Sequence, residues 1–365
     1  MKAIILVGGL GTRLRPLTCG TPKALVPVLD RPFIEHVLLW LKRHGVEEAV
    51  LTLSHLAPAI HETLGNGSRL GIKVSYVQEP SPLGTAGAVR NAGGLVDETF
   101  LVLNGDIYTE LDLGAMLGLH KATGSVATIA LTAVENPSAY GLVETLPGGR
   151  IARFLEKPSP QEITTNLVNA GTYVLEPQVL LDIPPGQTYS FERELFPKLL
   201  TTGRPVHAYP DRTYWIDIGA PAKYMELNRA LLSGKVGQHG FPDGNEIVVL
   251  EGSQVEPGAA LRGPLLISRG CRIEAGASVI GPGVIGSGCQ VEDGAVVDSS
   301  ILWQNVTVGP GARVLDSIAA DNSRLGAGCN VESAVIGAGV TINEGYRLEP
   351  GSTVLPDTMI GYSQK

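Results

Sequence analysis

Residues 3–18 read AIILVGGLGTRLRPLT, and the lysine of TPKAL follows at Lys23. Five apolar residues in succession, closed by glycine, predict a buried strand. Gly8, Gly9 and Gly11 then let the backbone turn sharply and approach a ligand closely. Amides presented in such a turn form an anion cradle, helped by any helix that starts there. Arg13 and Lys23 bring positive charge to the same pocket. The guest that suits this chemistry is a nucleoside triphosphate. A Walker A loop needs GxxxxGK[ST], which is absent. A dinucleotide fingerprint needs GxGxxG, and here GLGTRL ends in Leu14. A purely structural glycine turn is the competing reading.

Outward from this stretch, strand-like runs recur at Ala3–Val7, Ala49–Leu53, Val74–Val77, Phe100–Leu103 and Val126–Thr132. Helix-like stretches lie between them, at Phe33–His44 with 3.6-type apolar spacing and at Thr85–Ala92. Such alternation predicts a mostly parallel sheet covered by helices. Ligands of these sheets bind at the carboxyl ends of the strands, so each strand is read at its downstream end.

The pattern changes after Gly234. KVGQHGFPDGN, residues 235–245, is polar and glycine-rich and reads as a linker. Beyond it an aliphatic residue returns every six positions, from Val255, Leu261, Ile267 and Ile273 through Val297. The register slips and resumes at Val308 and Val314, again at Leu325 and Val331, and from Ile336 to Ile360. Units such as IEAGAS, VEDGAV and VGPGAR follow an apolar-x-x-Gly-small-x rule. A hexapeptide period is the signature of a parallel β-helix, whose stacked coils bury an aliphatic ladder. Cys271, Cys289 and Cys329 each take the fifth, small-residue place of their hexads, which predicts buried side chains and not a metal site.

The totals agree with this division. A length of 365 residues suggests two domains, and 44% hydrophobic with 18% charged residues fits a globular chain. A net charge of -8 disfavours nucleic acid and anionic membrane as partners, so any phosphate must meet a local basic cluster. No apolar run is long enough to span a bilayer. Met1 leads straight into the first strand, which leaves no room for a signal peptide. Four cysteines form no CxxC pair, and a cytoplasmic, reduced protein is expected.

LVGGLGTRLRPLT followed by PKAL resembles the signature of the sugar-1-phosphate nucleotidyltransferases, and within them the mannose-1-phosphate guanylyltransferases. The resemblance implies a Rossmann-like nucleotidyltransferase domain over residues 1–232, a linker at 233–246 and a left-handed parallel β-helix over 247–365. It implies a reaction in which a sugar 1-phosphate is joined to a nucleotide and pyrophosphate leaves. Leu6, Gly8, Gly9, Gly11, Thr12, Arg13 and Lys23 would then line the nucleotide. SPLGTAGAV, residues 81–89, looks like the base-binding segment, with Gly84 and Thr85. FLVLNGD, residues 100–106, ends in Asp106, where the family places a metal carboxylate, and YWIDIG offers Asp217 as the second. YGLVE places Gly141 near the sugar, FLEKP supplies Glu156 for sugar hydroxyls and Lys157 for the sugar phosphate, and VNAGTYV contributes Asn169 and Gly171.

The inferred chemistry is in-line attack of one anion on another. Catalysis of that kind is positioning and electrostatics, with no protein nucleophile. The flanks of Cys19 suggest only packing. Arg13 is expected to stabilise the β- and γ-phosphates, Lys23 to hold the phosphates in line, and Lys157 to guide the attacking phosphate. Asp106 and Asp217 suit Mg²⁺, a hard cation. Five residues before Gly84 stands Glu79, where pyrimidine-using members tend to carry Gln. A carboxylate only accepts hydrogen bonds, and guanine offers two neighbouring donors, N1–H and its amine. The alternative is that Glu79 is a solvated loop residue and Gln78 reads the base. Mannose follows from the overall resemblance and from guanine, not from a motif. Glucose-1-phosphate thymidylyl-, uridylyl- or adenylyl transfer is the alternative, and a non-catalytic nucleotide-sugar sensor is a second.

The tail has no histidine after His239, which disfavours a histidine-based acyltransferase. A structural or assembly role is expected, with a homo-oligomer in view. Ile301, Leu302 and Trp303 are read either as subunit contacts or as an ordinary insertion between coils.

Overall fold

The computed structural model describes residues 1–53, 57–236 and 246–361. Most of the expected linker, 237–245, lies outside the described residues. By packing, the chain falls into two compact units that are not contiguous in sequence. One comprises Met1–Gly9 and Ile34–Asp217, the other Leu10–Phe33 and Ile218–Lys365.

The first unit is built on a nine-stranded mixed sheet. Lys2–Leu6 lies at its centre and pairs in parallel with Glu48–Leu53 on one side and Phe100–Asn104 on the other. Lys73–Gln78 continues the parallel part. Leu167–Leu175 then runs antiparallel to Phe100–Asn104 and carries the strands Gly141–Thr145 and Ala127–Ala133. The strand–helix alternation thus describes the parallel half, and an antiparallel half extends it. Ile4, Val50 and Val102 are fully buried, as central strands covered on both faces require. Phe191, Phe196 and Tyr173 pack ring to ring at 5.2–5.3 Å in the same core.

The second unit contains the left-handed parallel β-helix. Its strands form sheets of seven, seven and five members, all parallel within each sheet. Ile273, Val291, Val308, Leu325 and Ile342 stack in one buried column, as the six-residue period predicts. The slips in the period have a structural cause. Leu265 pairs with Gly283, but Val284 pairs with Ile301 and Val296 with Arg313, so the middle coils are one residue shorter, and the longer spacing returns where Val335 pairs with Thr353. The missing residue is absorbed at a corner where Ser299, Asp316 and Ser333 adopt φ of 51°, 47° and 50°. Ser300 and Ser317 close that corner, each hydroxyl accepting an amide of the next coil at 3.1 and 3.0 Å. Cys271, Cys289 and Cys329 are buried as expected, whereas Cys19 is exposed and packs against nothing that would hide it.

Ile301, Leu302 and Trp303 fit neither expectation. Ile301–Leu302 is a regular strand of the β-helix, with Leu302 fully buried in its core. Trp303 is 2% exposed and packs within its own unit on the helix Pro221–Leu232 through Tyr224, with ring centroids 6.4 Å apart. None of the three is an available contact surface. No helix among the described residues is long and apolar enough to cross a membrane.

Candidate active site

The segment 79–87, expected to meet the base, is a turn held from both sides. Glu79 follows the strand Lys73–Gln78, and its carboxylate accepts the Leu83 amide at 3.1 Å, bridging the loop 79–83. Burial pushes its pKa above the ordinary 4.5. Glu79 is therefore a half-buried anchor of the turn and not a solvated loop residue. Gln78 is exposed at the strand end. Gly84 opens the helix Gly84–Ala92 at φ +71°, and a Cβ there would sit 2.8 Å from the Tyr189 carbonyl oxygen, so only glycine fits. That carbonyl accepts the Ala86 and Gly87 amides at 2.9 and 3.0 Å, satisfying donors that a helix start leaves open.

Backbone pairing sets the segments that carry Asp106 and Asp217 side by side. Phe100–Asn104 runs beside the first strand, with Asn104 opposite Leu6, and the Gly105 amide donates to Leu6 O at 2.9 Å. The chain then turns back as Ile107–Thr109, which pairs antiparallel with Trp215–Asp217, placing Asp217 opposite Ile107. Asp217 thus stands across from the residue that follows Asp106, and both aspartates are half-buried near the carboxyl ends of the parallel strands. Carboxylates are hard oxygen donors, which suit a divalent cation whose remaining positions go to phosphate oxygens and water. Among the described residues no group of three or more acidic, histidine or cysteine side chains is placed to hold a metal ion.

The residues expected to meet the sugar lie on the antiparallel half. Gly141 pairs with Glu156, and a Cβ on Gly141 would meet the Glu156 carboxylate at 2.9 Å and the Phe154 ring at 2.8 Å. The glycine is what leaves room for that carboxylate. Burial, and then the negative charge of Glu192, push the Glu156 pKa up. Lys157 is exposed and sits at φ 51°, a strained conformation for a side chain of its size, tied by its amide to Tyr140 O at 3.1 Å. Asn169 Oδ1 accepts the Gly171 amide at 3.0 Å, and its Nδ2 donates to the Tyr173 hydroxyl oxygen at 2.8 Å. Leu167–Leu175 bulges between Asn169 and Tyr173, which swings this stretch out of the ladder. Trp215 Nε1 donates to Ala170 O at 2.9 Å and fixes the bulge from the strand that carries Asp217.

Leu6, Gly8 and Gly9 belong to the first unit; Gly11, Thr12, Arg13 and Lys23 belong to the second. No α-helix follows the glycines. Thr12–Leu14 is a single 3-10 turn, with Arg13 exposed and Gly11 at φ +60° before it. Lys23 starts a second 3-10 turn, Lys23–Leu25, with Pro22 at its N-cap.

One residue escaped the sequence reading. Glu192 accepts the Thr85 hydroxyl at 3.0 Å and the Ser190 hydroxyl at 2.7 Å, and lies 3.4 Å from the Tyr173 hydroxyl. It thereby joins the helix that Gly84 opens to the Asn169 bulge through Tyr173. Tyr173 is fully buried, and burial holds its phenol protonated. In sequence, SFEREL looks like an acidic helix start. The cue was the two acids following Ser190, whose hydroxyl caps the π-type turn Phe191–Leu195.

Known proteins resemble this chain over most of its length. The family described as nucleotidyl transferase matches residues 2–234, and the GMPPB C-terminal domain matches residues 246–365. A mannose-1-phosphate guanylyltransferase of Mycobacterium tuberculosis is 37% identical over 91% of this chain and 83% of its own. A UTP–glucose-1-phosphate uridylyltransferase of Synechocystis is 35% identical over 92% of each. The crystal structure of HddC from Yersinia pseudotuberculosis complexed with GMP-PN superposes with a TM-score of 0.55 at 30% identity, covering 63% of this chain and 99% of that one. With that family model matching residues 2–234, the chain belongs to the nucleotidyl transferase family.

Proposed function

We propose that the chain transfers the guanylyl group of GTP to mannose 1-phosphate, forming GDP-mannose and releasing pyrophosphate. The observation that carries the reaction class is Asp217 set opposite Ile107, beside Asp106, at the strand ends. A phosphate oxygen of the sugar attacks the α-phosphorus, the new O–P bond forms in line, and the bond to the β-phosphate oxygen breaks with its electron pair leaving on pyrophosphate. No proton transfer is required. In this reading Arg13 meets the β- and γ-phosphates, Lys23 keeps the chain of phosphates in line, and Lys157 receives the sugar phosphate. Asp106 and Asp217 would hold Mg²⁺, whose charge when bound screens the repulsion between the two anions. Glu156, Gly141, Asn169 and Gly171 would hold the sugar, and Gly8, Gly9, Gly11, Thr12, Gly84 and Thr85 the nucleotide.

Glu79 supports guanine, because its carboxylate accepts and never donates when ionised. The guanylyltransferase relatives support the same pair. A second reading, uridylyl transfer to glucose 1-phosphate, is favoured by the Synechocystis relative, which matches almost as well over the full length. Pyrophosphate release with Mg²⁺ separates them, crossing GTP, UTP, dTTP and ATP with mannose and glucose 1-phosphates. Fast release confined to GTP and mannose 1-phosphate is expected. Glu79→Gln should shift preference from GTP toward UTP or dTTP by about tenfold or more; an unchanged ranking removes Glu79 as base reader. Folded protein that releases no pyrophosphate with any pair would be a binder of nucleotide sugars instead. Four unpaired thiols support a cytoplasmic setting. Exposed Ile247, Val249, Leu355 and Met359 on the first and last coils support assembly with further copies, which sedimentation checks.

A further inference from the structure

We propose that Trp303 of the β-helix and Tyr224 are positioning residues for nucleotidyl transfer, acting on the segment that carries Lys23. The inference rests on the assignment of Lys23 to the triphosphate.

The segment after Lys23 has few bonds of its own. Pro27–Val28 and Arg31–Pro32 form a minimal hairpin of two-residue strands, in which Pro27 faces Pro32. The Phe33 amide donates to Val26 O at 3.0 Å, so Pro27 and Pro32 are the pair between bonded rungs and neither adds a bond. Leu29, in the turn, is buried at φ 55°, a conformation that a side chain of its kind rarely adopts. So short a hairpin gains its hold from side chains outside it.

Three side chains of the same unit do so. The Tyr224 hydroxyl donates to Pro27 O at 2.6 Å, and the Trp303 indole N–H donates to that hydroxyl at 3.0 Å. Asn228, one turn further along the helix, accepts the strained Leu29 amide at 2.8 Å, while its Nδ2 donates to Tyr224 O at 2.9 Å. Tyr224 and Asn228 are fully buried and Trp303 nearly so. The helix itself is pinned to the short corner of the β-helix, where Arg229 donates to Ser299 O at 3.0 Å and pairs with Asp316.

The path from Pro27 to Lys23 is short and stiff. The Val26 amide donates to Lys23 O at 3.3 Å, and the Leu25 amide to Pro22 O at 2.8 Å. Lys23 Cβ lies 3.2 Å from where a Cβ on Gly11 would stand, and Thr18 Oγ1 donates to Gly11 O at 2.7 Å. A shift at Pro27 therefore reaches Lys23.

Tyr224→Phe keeps the ring and removes the hydroxyl; Trp303→Phe removes only the indole and its donor. Loss of one such bond corresponds to about a three- to tenfold effect. The expected result is a rise of that size in the KM for the nucleoside triphosphate, with the KM for the sugar phosphate unchanged, measured well below the melting temperature. In a Lys23→Ala background the same substitutions should have no further effect, because the route runs through Lys23. Additive effects, or a lowered melting temperature with both KM values unchanged, overturn the proposal. If Tyr224→Phe is insoluble, Trp303→Phe carries the test alone. Wild-type protein that turns over no substrate pair overturns the nucleotidyl-transfer reading with it; normal wild-type turnover with an additive cycle overturns the positioning role only.

Discussion

In the β-helix Val297 stacks beneath Val314 and Val314 beneath Val331, each contact a copy of the one a coil earlier. In the unit built on the mixed sheet Thr85 meets Glu192 across 107 residues of chain, where two particular segments converge and no coil repeats them. The first arrangement spreads stability over nearest neighbours, so that one altered rung is felt locally. The second concentrates function on a few convergent segments, so that one altered side chain is felt by all of them. The difference teaches where each kind of substitution should register.

The sharpest test of the contrast is Asp106→Asn. Turnover should fall about 100-fold or more, near 1.4 kcal/mol per factor of ten, while the melting temperature scarcely moves. Stopped assays of pyrophosphate release show it, and near-normal turnover from folded protein would take Asp106 out of the site. The converse case is Leu325→Ala, in the buried column of the β-helix. A cost of about 2–5 kcal/mol is expected in denaturant titration, with KM values unmoved in the protein that remains folded. Glu192→Gln sits between these extremes. It preserves volume but weakens the charge-assisted bonds to Thr85 and Ser190, and should lower kcat/KM about tenfold by raising the KM of both substrates. A change in only one KM would break the link drawn between the two segments.

The smallest effect has a size that depends on pH. Glu156 has a raised pKa, so the folded chain binds its proton more readily than the unfolded chain. Its ionised form therefore opposes folding, and stability drains away as pH rises from the ordinary 4.5 through the raised value. Glu156→Gln should lift the melting temperature at neutral pH and leave it unchanged below 4.5, while activity falls. A gain that persists in acid would assign the effect to packing.

Apolar runs and the six-residue period made the parallel strands and the coils legible, because each is a local pattern with a fixed repeat. The shortened coils appeared only as slips; that they turn on Ser299, Asp316 and Ser333 at positive φ is a backbone fact without a sequence rule. Six glycine- and carboxylate-bearing segments announced the site, since strand ends collect ligands. Glu192 was illegible because SFEREL reads as ordinary helix surface, and its partners Thr85 and Tyr173 are distant in sequence. Trp303 was misread for the same reason. Its partner, Tyr224, lies 79 residues earlier and carries no motif.

The non-contiguous packing also orders events on the ribosome. Residues 10–33 emerge among the first of the chain, yet Tyr224, Asn228 and Trp303, which hold Pro27 and Leu29, are made far later. The strands of the mixed sheet have all been synthesised by residue 217, before the tail begins. The glycine turn and Lys23 must therefore wait, attached to a sheet that can already fold, until translation reaches the fourth coil. A nascent chain released before Trp303 would own every residue of the signature and still lack the anchor that sets it.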